Sequence, residues 1–167
     1  MTTPIKKTVL STLAGGGHLW ESISLLQKFQ GKYDLHFVTA KQCLIPDIAI
    51  IKKSKVHTIT DIGNFSRDKM WQRAYDFAKS FLDSYILMRK LKPHVVVAVG
   101  TSLSLPVFVA AKLLGIPAVF IESITRVEGL SKTGEIIQKY GLAKRCYVQW
   151  PEAEVKNKDV FYKGSVL

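Results

Sequence analysis

Two turns of small residues, each between an apolar segment and a helical pattern, carry most of the chemistry that this sequence offers. The first is Gly15-Gly16-Gly17-His18, and the second is Gly100-Thr101-Ser102-Leu103-Ser104. A strand that passes through such a turn into a helix leaves backbone N–H groups unpaired at the positive end of the helix dipole, which attracts phosphate above all. Two such turns at the carboxyl ends of strands in one sheet predict a substrate that carries phosphate.

Titratable side chains stand beside these turns. His18 begins a helix, where an imidazole can accept a proton from a substrate hydroxyl; the alternative is a histidine that only hydrogen-bonds the helix start. Glu122 follows a buried strand, so its carboxylate could orient a hydroxyl, replace His18 as the base, or pair with Arg126. The fork of Arg126 matches phosphate oxygens. Ser104 is either a ligand contact or the N-cap of the next helix.

Two common nucleotide motifs do not fit the first turn. A Walker loop needs Gly-Lys-Ser/Thr at the helix start, and Gly17-His18-Leu19 supplies none of it. A dinucleotide fingerprint needs an acidic residue at the end of the second strand, which here reads Val38-Thr39-Ala40. A third interpretation stays open, in which the glycines only make a tight turn with close packing of helix and strand.

The hydrophobic pattern predicts the elements that must position these residues. Strands are predicted at residues 6–13, 34–40, 56–59, 94–99, 117–121, 145–148 and 160–162, and helices at 18–29, 65–91, 104–115 and 130–140. Their alternation predicts an α/β fold with a Rossmann-like, doubly wound parallel sheet. The 65–91 helix has one apolar stripe that is expected in the core, made of Trp71, Tyr75, Ala78, Leu82, Tyr85 and Met88; the alternative places Trp71 at the level of lipid headgroups.

Length and composition limit the class of protein. The 167 residues predict a single domain, 1–167, and the net charge of +11 implies an anionic partner, which is a membrane surface, a nucleic acid or a phosphorylated substrate. Cys43 and Cys146 have neither metal-ligand spacing nor a disulfide pattern. We expect no signal peptide and no membrane span, because the apolar segment 105–121 is interrupted by Lys112, Gly115 and Pro117.

Several segments together resemble a known family. They are the two turns, Ala110 to Pro117, Phe120-Ile121-Glu122-Ser123, Leu130 to Gly134 and Val148-Gln149-Trp150-Pro151-Glu152. The series is similar to the acceptor-binding half of GT-B glycosyltransferases of the MurG type. It is closer to the stand-alone form of that half: the membrane-associated subunit of the dolichol-pathway UDP-GlcNAc transferase and its bacterial PssD-type relatives in capsule and exopolysaccharide assembly.

The resemblance implies half of an inverting glycosyltransferase, with no cofactor and no metal. A second chain would carry the UDP-sugar site, and this chain would bind a polyprenyl-diphosphate-linked saccharide and supply the base. By resemblance, His18 and Glu122 are catalytic. Gly15, Gly16 and Gly17 would lie against the diphosphate of the acceptor. Gly100, Ser102, Ser104 and Arg126 would form a second phosphate site.

The resemblance also implies where the protein acts. Trp150, Pro151 and Glu152 would line the interface with the second chain, unless Trp150 only covers the core. The eukaryotic subunit carries an N-terminal membrane helix that this sequence lacks, so we expect a peripheral protein on the anionic inner face of the cell membrane.

The alternative function is a non-catalytic partner that recruits a transferase to the membrane. Nucleic-acid binding is not expected, because basic and aromatic residues do not visibly cluster.

Overall fold

One parallel sheet contains every strand that the computed structural model describes, in the order β3-β2-β1-β4-β5-β6-β7. The structure describes residues 6–62 and 69–167. The strands are β1 Thr8–Leu13, β2 Asp34–Ala40, β3 Lys55–Ile59, β4 Val95–Val99, β5 Ala118–Ile121, β6 Arg145–Val148 and β7 Val160–Tyr162. The helices are α1 Gly17–Gln27, α2 Ala49–Lys52, α3 Met70–Leu91, α4 Ser104–Leu113, α5 Lys132–Lys139 and α6 Pro151–Lys156.

The order of strands reverses beside β1. The chain adds β2 and β3 on one side of β1, then returns through α3 and adds β4 on the other side. This is the switch point at which α/β sheets bind ligands, beyond the carboxyl ends of the strands. The two small-residue turns follow β1 and β4, the two strands that meet there.

Side chains alternate between the two faces of each strand, and helices cover both faces. Val97 and Ile121 pack with Leu19, Ile23 and Leu26 of α1. On the opposite face, Val96, Ala98 and Phe120 pack with a second cluster, whose helical members include Met88 of α3, Phe108 of α4, Ile137 of α5 and Ala153 of α6. The predicted α/β class with a doubly wound parallel sheet is therefore confirmed.

The face that α1 covers is only partly filled. Beyond α1, the strands β4, β5 and β6 line a cavity of about 530 Å³ through Val95, Val97, Val119 and Tyr147, with Val166 of the C-terminal segment on its other wall. We call this the apolar groove. α3, α4 and α5 all pack on the opposite face, because their crossovers share one hand and run toward β7, whereas the crossover through α1 runs toward β3.

Two short helices were not predicted, and Ser104 is not the N-cap of α4. α2 and α6 have four and six residues, too few for a clear helical period, although Pro151 at the first turn of α6 favours a helix start. α4 begins at Ser104 with Leu103 as its N-cap. The hydroxyl of Ser104 donates to the carbonyl of Thr101, 2.6 Å away, and the N-cap of α4 makes no side-chain hydrogen bond.

The prediction for the long helix holds only at the C-terminal end of the predicted stripe. Met88 is 1% exposed and Tyr85 packs against the core, whereas Trp71, Tyr75 and Leu82 are 66%, 63% and 53% exposed. Phe77 and Phe81 pack against the core in place of this exposed part. α3 carries two apolar stripes at helical spacing, and the sequence pattern alone does not rank them. Residues 65–68 of the predicted helix lie outside the described residues, and no helix in the described part is long and apolar enough to cross a membrane.

Candidate functional site

The first turn has the geometry that an anion site needs. Gly16 is the N-cap of α1 with φ 72° and ψ −147°, and no side chain caps the helix start. The three glycines of the turn are exposed, and nothing lies within 4 Å of the position that a side chain would take at Gly16 or Gly17. The first N–H groups of α1 therefore face open space at the positive end of the helix.

The second turn is more closed than the sequence suggested. Gly100 and Thr101 are left-handed, with φ 58° and 57°, which is strained for a β-branched residue such as Thr101. The N–H of Gly100 donates to the carbonyl of Ile121, 2.8 Å away, and Ser104 is buried. Gly100 and Ser104 thus hold the turn. Of the three predicted ligand residues within this turn, only Ser102 is half-buried and still reached by solvent.

The two turns meet at His18. Its ring lies directly against Gly100, so that a Cβ added to this glycine would overlap Nδ1 and Cε1. The Nδ1 atom is buried, whereas the side chain as a whole is 37% exposed. The exposure belongs to the rest of the ring, whose second nitrogen is Nε2. A base is therefore presented between the two predicted phosphate sites.

Behind His18 lies a carboxylate that the sequence analysis missed. Glu21 is 2% exposed, and its Oε1 lies 3.8 Å from Nδ1 of His18, one helical turn earlier. Ser123 donates to the same oxygen at 2.8 Å, while the N–H of Ile124 and the amide of Gln149 donate to Oε2 at 2.9 and 2.7 Å. The spacing of three residues from His18 was the signal available in the sequence.

These contacts decide the charge of Glu21. Burial opposes ionisation of the carboxyl, but the interactions with His18, Ile124, Ser123 and Gln149 favour the charged form. Together they outweigh burial and lower the pKa of Glu21 below its ordinary value of 4.5. A negative charge therefore faces the buried nitrogen of His18 at neutral pH.

Glu122 does not join this site. It is 1% exposed, and its carboxylate accepts from the N–H of Ser123 and from the N–H and hydroxyl of Ser131, at 2.8–2.9 Å. Because it follows Ile121 by one residue in the strand direction, it faces α5 on the other side of the sheet. Glu122 therefore anchors the start of α5 instead of pairing with Arg126, and its catalytic role stays a prediction.

The remaining predicted residues lie on the loops at the same edge. Arg126 is exposed, and its N–H donates to the carbonyl of Ser123 at 3.0 Å. Trp150 is 36% exposed, and its indole N–H donates to the carbonyl of Ile124 at 2.6 Å. Pro151 and Glu152 are exposed at the start of α6. Arg126 thus lies on the loop of residues 123–126, to which Trp150 and the Glu21 carboxylate are both hydrogen-bonded.

The described residues include no group of three or more His, Cys, Asp or Glu side chains that could hold a metal ion. Both cysteines are free thiols. Burial, and then the charge of Glu122, raise the pKa of Cys146 to about 11, so this thiol stays protonated. The chemistry of the site rests on the imidazole, the carboxylate behind it and the open helix start.

Comparison with known proteins adds a family. A family model described as "Oligosaccharide biosynthesis protein Alg14 like" matches residues 9–166. The chain is 27% identical to the UDP-N-acetylglucosamine transferase subunit ALG14 of Mus musculus, over 99% of this chain and 86% of that protein. It is 30% identical to the ALG14 subunit of Yarrowia lipolytica, over 93% of this chain and 79% of that protein.

Larger proteins match over part of their length. One is the UDP-N-acetylglucosamine--N-acetylmuramyl-(pentapeptide) pyrophosphoryl-undecaprenol N-acetylglucosamine transferase of Clostridium kluyveri. It is 27% identical over 71% of this chain and 35% of its own length. The crystal structure of Acinetobacter baumannii MurG superposes with a TM-score of 0.76 and 18% identity, over 95% of this chain and 45% of that one. This chain therefore spans less than half of that structure, and the likeness to it is one of fold.

Proposed function

This chain belongs to the Alg14-like family of oligosaccharide biosynthesis proteins, and from that premise we propose that it is the acceptor-side subunit of a two-chain inverting glycosyltransferase. The reaction moves a sugar from a UDP-sugar to a polyprenyl-diphosphate-linked saccharide. The observation that carries the proposal is the position of His18, at the point where two turns at the switch point of the sheet meet. A diphosphate at the open start of α1 would bring an acceptor hydroxyl to the imidazole.

The step needs one base and no covalent intermediate. Nε2 of His18 takes the proton of the acceptor hydroxyl, and the oxygen forms a bond to the anomeric carbon. The bond from that carbon to the UDP oxygen breaks, and UDP leaves with the electron pair. A single displacement of this kind inverts the anomeric configuration. Arg126, exposed beside the site, is the cation proposed for the acceptor phosphates.

A partner chain is the source proposed for the UDP-sugar site. The relatives from Mus musculus and Yarrowia lipolytica are named as subunits of a UDP-N-acetylglucosamine transferase, and the chain matches most of their length. Their names support N-acetylglucosamine as the sugar that is transferred. The exposed residues Trp150, Pro151 and Glu152 and the apolar groove are the surfaces that we assign to the partner.

A membrane is proposed as the second binding surface, with the protein on the inner face of the cell membrane in capsule or exopolysaccharide assembly. Trp71, Tyr75, Leu82 and Ile86 form an exposed apolar stripe along α3, with the exposed cations Lys79 and Lys90 beside it. We call this stripe the outer face of α3. Such a face suits an interface rich in anionic lipids, at which a polyprenyl acceptor would be anchored.

The first test is transfer by the complex that carries His18→Ala. The tagged chain is purified from its native membranes with the partner that accompanies it, and the complex is assayed with radiolabelled UDP-N-acetylglucosamine and a polyprenyl-diphosphate-linked saccharide. We expect kcat to fall by about 10²–10⁴-fold, the usual contribution of a general base. Binding of the UDP-sugar stays unchanged, because the partner carries that site.

The matched control is His94→Gln. His94 is also exposed, but it lies at the opposite end of β4, where Nδ1 accepts from the N–H of Thr8 at 3.1 Å. The complex that carries His94→Gln should transfer sugar at the wild-type rate. Wild-type transfer by the His18→Ala complex would instead support the alternative, a subunit that only recruits and stabilises a catalytic partner. A chain that purifies alone and binds UDP-sugar by itself would contradict the two-chain proposal.

A further inference from the structure

We propose that Glu21 is a positioning residue that holds the imidazole of His18 in the tautomer protonated on Nδ1. The proposal rests on the function given above, in which His18 takes the proton of an acceptor hydroxyl. A neutral imidazole has one proton, so one nitrogen donates and the other accepts. A base that works through Nε2 must therefore keep its proton on Nδ1.

The environment of Nδ1 selects this tautomer. The atom is buried, and among the described residues it has no hydrogen-bond partner; the carboxylate oxygen Oε1 of Glu21 lies 3.8 Å away. A lone pair on Nδ1 would face a negative charge, whereas an N–H there is attracted to it. The contact can shorten to a hydrogen bond when the acceptor fills the open side of the ring, since catalytic contacts often tighten in the substrate complex.

Glu21 is itself held so that it cannot turn away. Oε1 accepts from the Ser123 hydroxyl, and Oε2 accepts from the N–H of Ile124 and the amide of Gln149. The side-chain amide oxygen of Gln149 in turn accepts from the hydroxyl of Ser165 at 3.1 Å and the N–H of Val166 at 2.9 Å. A carboxylate fixed by three such partners orients the base without reaching the substrate itself.

The two oxygens of Glu21 have different neighbours, which makes Glu21→Gln a sharp test. The N–H groups of Ile124 and Gln149 both point at Oε2, so the amide oxygen of the glutamine would take that position. Its NH₂ group would then take the place of Oε1, facing Ser123 and Nδ1 of His18. An N–H donor there favours a lone pair on Nδ1 and moves the proton to Nε2. The variant keeps the shape of the site and reverses the tautomer.

The experiment is long-range ¹H–¹⁵N NMR of the neutral His18 ring in the full chain, which distinguishes the two protonated nitrogens. We expect protonation on Nδ1 in the wild type and on Nε2 in Glu21→Gln. Ser123→Ala is the matched control: it removes one hydrogen bond to Oε1 but leaves the negative charge, so the wild-type tautomer persists. Loss of fold alone would change the spectra of the whole chain, not one ring.

The complex provides the second readout. Glu21→Gln should lower kcat by roughly 10²-fold or more, because Nε2 then carries a proton and cannot accept one. KM for the acceptor stays unchanged, since Glu21 is buried beneath His18. The same tautomer in wild type and Glu21→Gln overturns the proposal. If the tautomer reverses while the wild-type complex transfers no sugar, the positioning role stands and the proposed function fails.

Discussion

Among single residues, Gly100 imposes the tightest steric limit on the site. Its left-handed φ of 58° favours glycine, and the ring of His18 fills the space that a side chain would take. The second turn thus limits the position of the His18 ring in addition to ending β4. This contact explains why the two turns, far apart in sequence, belong to one site.

Gly100→Ala should reduce sugar transfer by displacing the imidazole from its position over Glu21. A Cβ at residue 100 overlaps the ring, so His18 must move or the turn must open. Gly115→Ala is the matched control, because Gly115 has φ 68° with nothing within 4 Å of the new Cβ. Both variants should lose about 1–2 kcal/mol of unfolding free energy from the left-handed backbone.

Only Gly100→Ala should lower kcat, measured in the purified complex at a temperature where both variants are folded. Equal sugar transfer by the two variants would show that the His18 ring does not need its contact with Gly100 in order to act. The comparison separates the backbone cost, which the two glycines share, from the steric contact, which only one of them makes.

The site residues differ in how far the sequence could reveal them. His18 and the glycine turns are local signals, because a turn between an apolar strand and a helix start is visible in a few residues. Of the two buried carboxylates, the sequence analysis singled out Glu122 and missed Glu21, because their roles depend on contacts nine and 102 residues away in the chain. Such contacts are set by the sheet order, which the sequence pattern did not give.

Among the elements, the pair of β2 and β3 contains a histidine contact outside the candidate site. Nδ1 of His36 lies 2.9 Å from Nε2 of His57, and the rings stack with centroids 5.2 Å apart. Nε2 of His36 lies 3.0 Å from a carboxylate oxygen of Asp34. One proton between the two rings satisfies the hydrogen bond, whereas protonation of both rings would place two N–H groups and two cations against each other.

This pair should make the fold sensitive to mild acid. Burial, and then the charges of His36 and Lys55, lower the pKa of His57 below its ordinary value of 6.5. The unfolded chain therefore binds more protons than the folded one between the folded pKa and about 6.5. Across that window the free energy of unfolding should fall as the pH falls. Urea denaturation of wild type and His57→Gln at several pH values measures the effect.

The variant His57→Gln should have a flatter pH dependence than the wild type, whereas His94→Gln, in which the changed residue precedes β4, should keep the wild-type slope. An unchanged slope in His57→Gln would show that this contact does not determine acid sensitivity. The prediction concerns stability alone, because His57 lies on the edge strand of the sheet, three strands away from β4.

Helix and strand bounds followed the sequence closely where one period dominated. β6 and β7 agree with the predicted bounds, and β2 does as well. The pattern failed where two apolar stripes competed, as on α3, and where a helix was too short for a full period, as in α2. In α3 the outcome depends on packing against α4, which no local pattern contains.

On the scale of the whole molecule, the proposed membrane role uses the net charge of +11 together with the outer face of α3. The charge would draw the protein to an anionic surface over several ångströms, and the apolar stripe would then contact the lipids. Neither is required by the core, which lies on the other side of α3.

Leu82→Ser should weaken binding to vesicles of phosphatidylserine and phosphatidylcholine by about 1 kcal/mol, or roughly fivefold, if insertion buries half of the leucine. Leu113→Ser is the matched control, since Leu113 is also exposed, at 67% against 53% for Leu82, but lies on α4. Cosedimentation at low and high salt measures the contributions of the charge and of the apolar stripe to vesicle binding. Equal binding by the two variants would contradict a membrane role for this face.

The apolar groove has a consequence for the abundance of this protein in the cell. A chain made in excess of its partner leaves Val95, Val119 and Tyr147 without the cover that we assign to the second subunit. Open apolar surface of this kind is what chaperones bind and what leads a chain to proteolysis or aggregation. The abundance of this subunit should therefore follow the supply of its partner, with the unpaired surplus degraded, so that stoichiometry is enforced after translation.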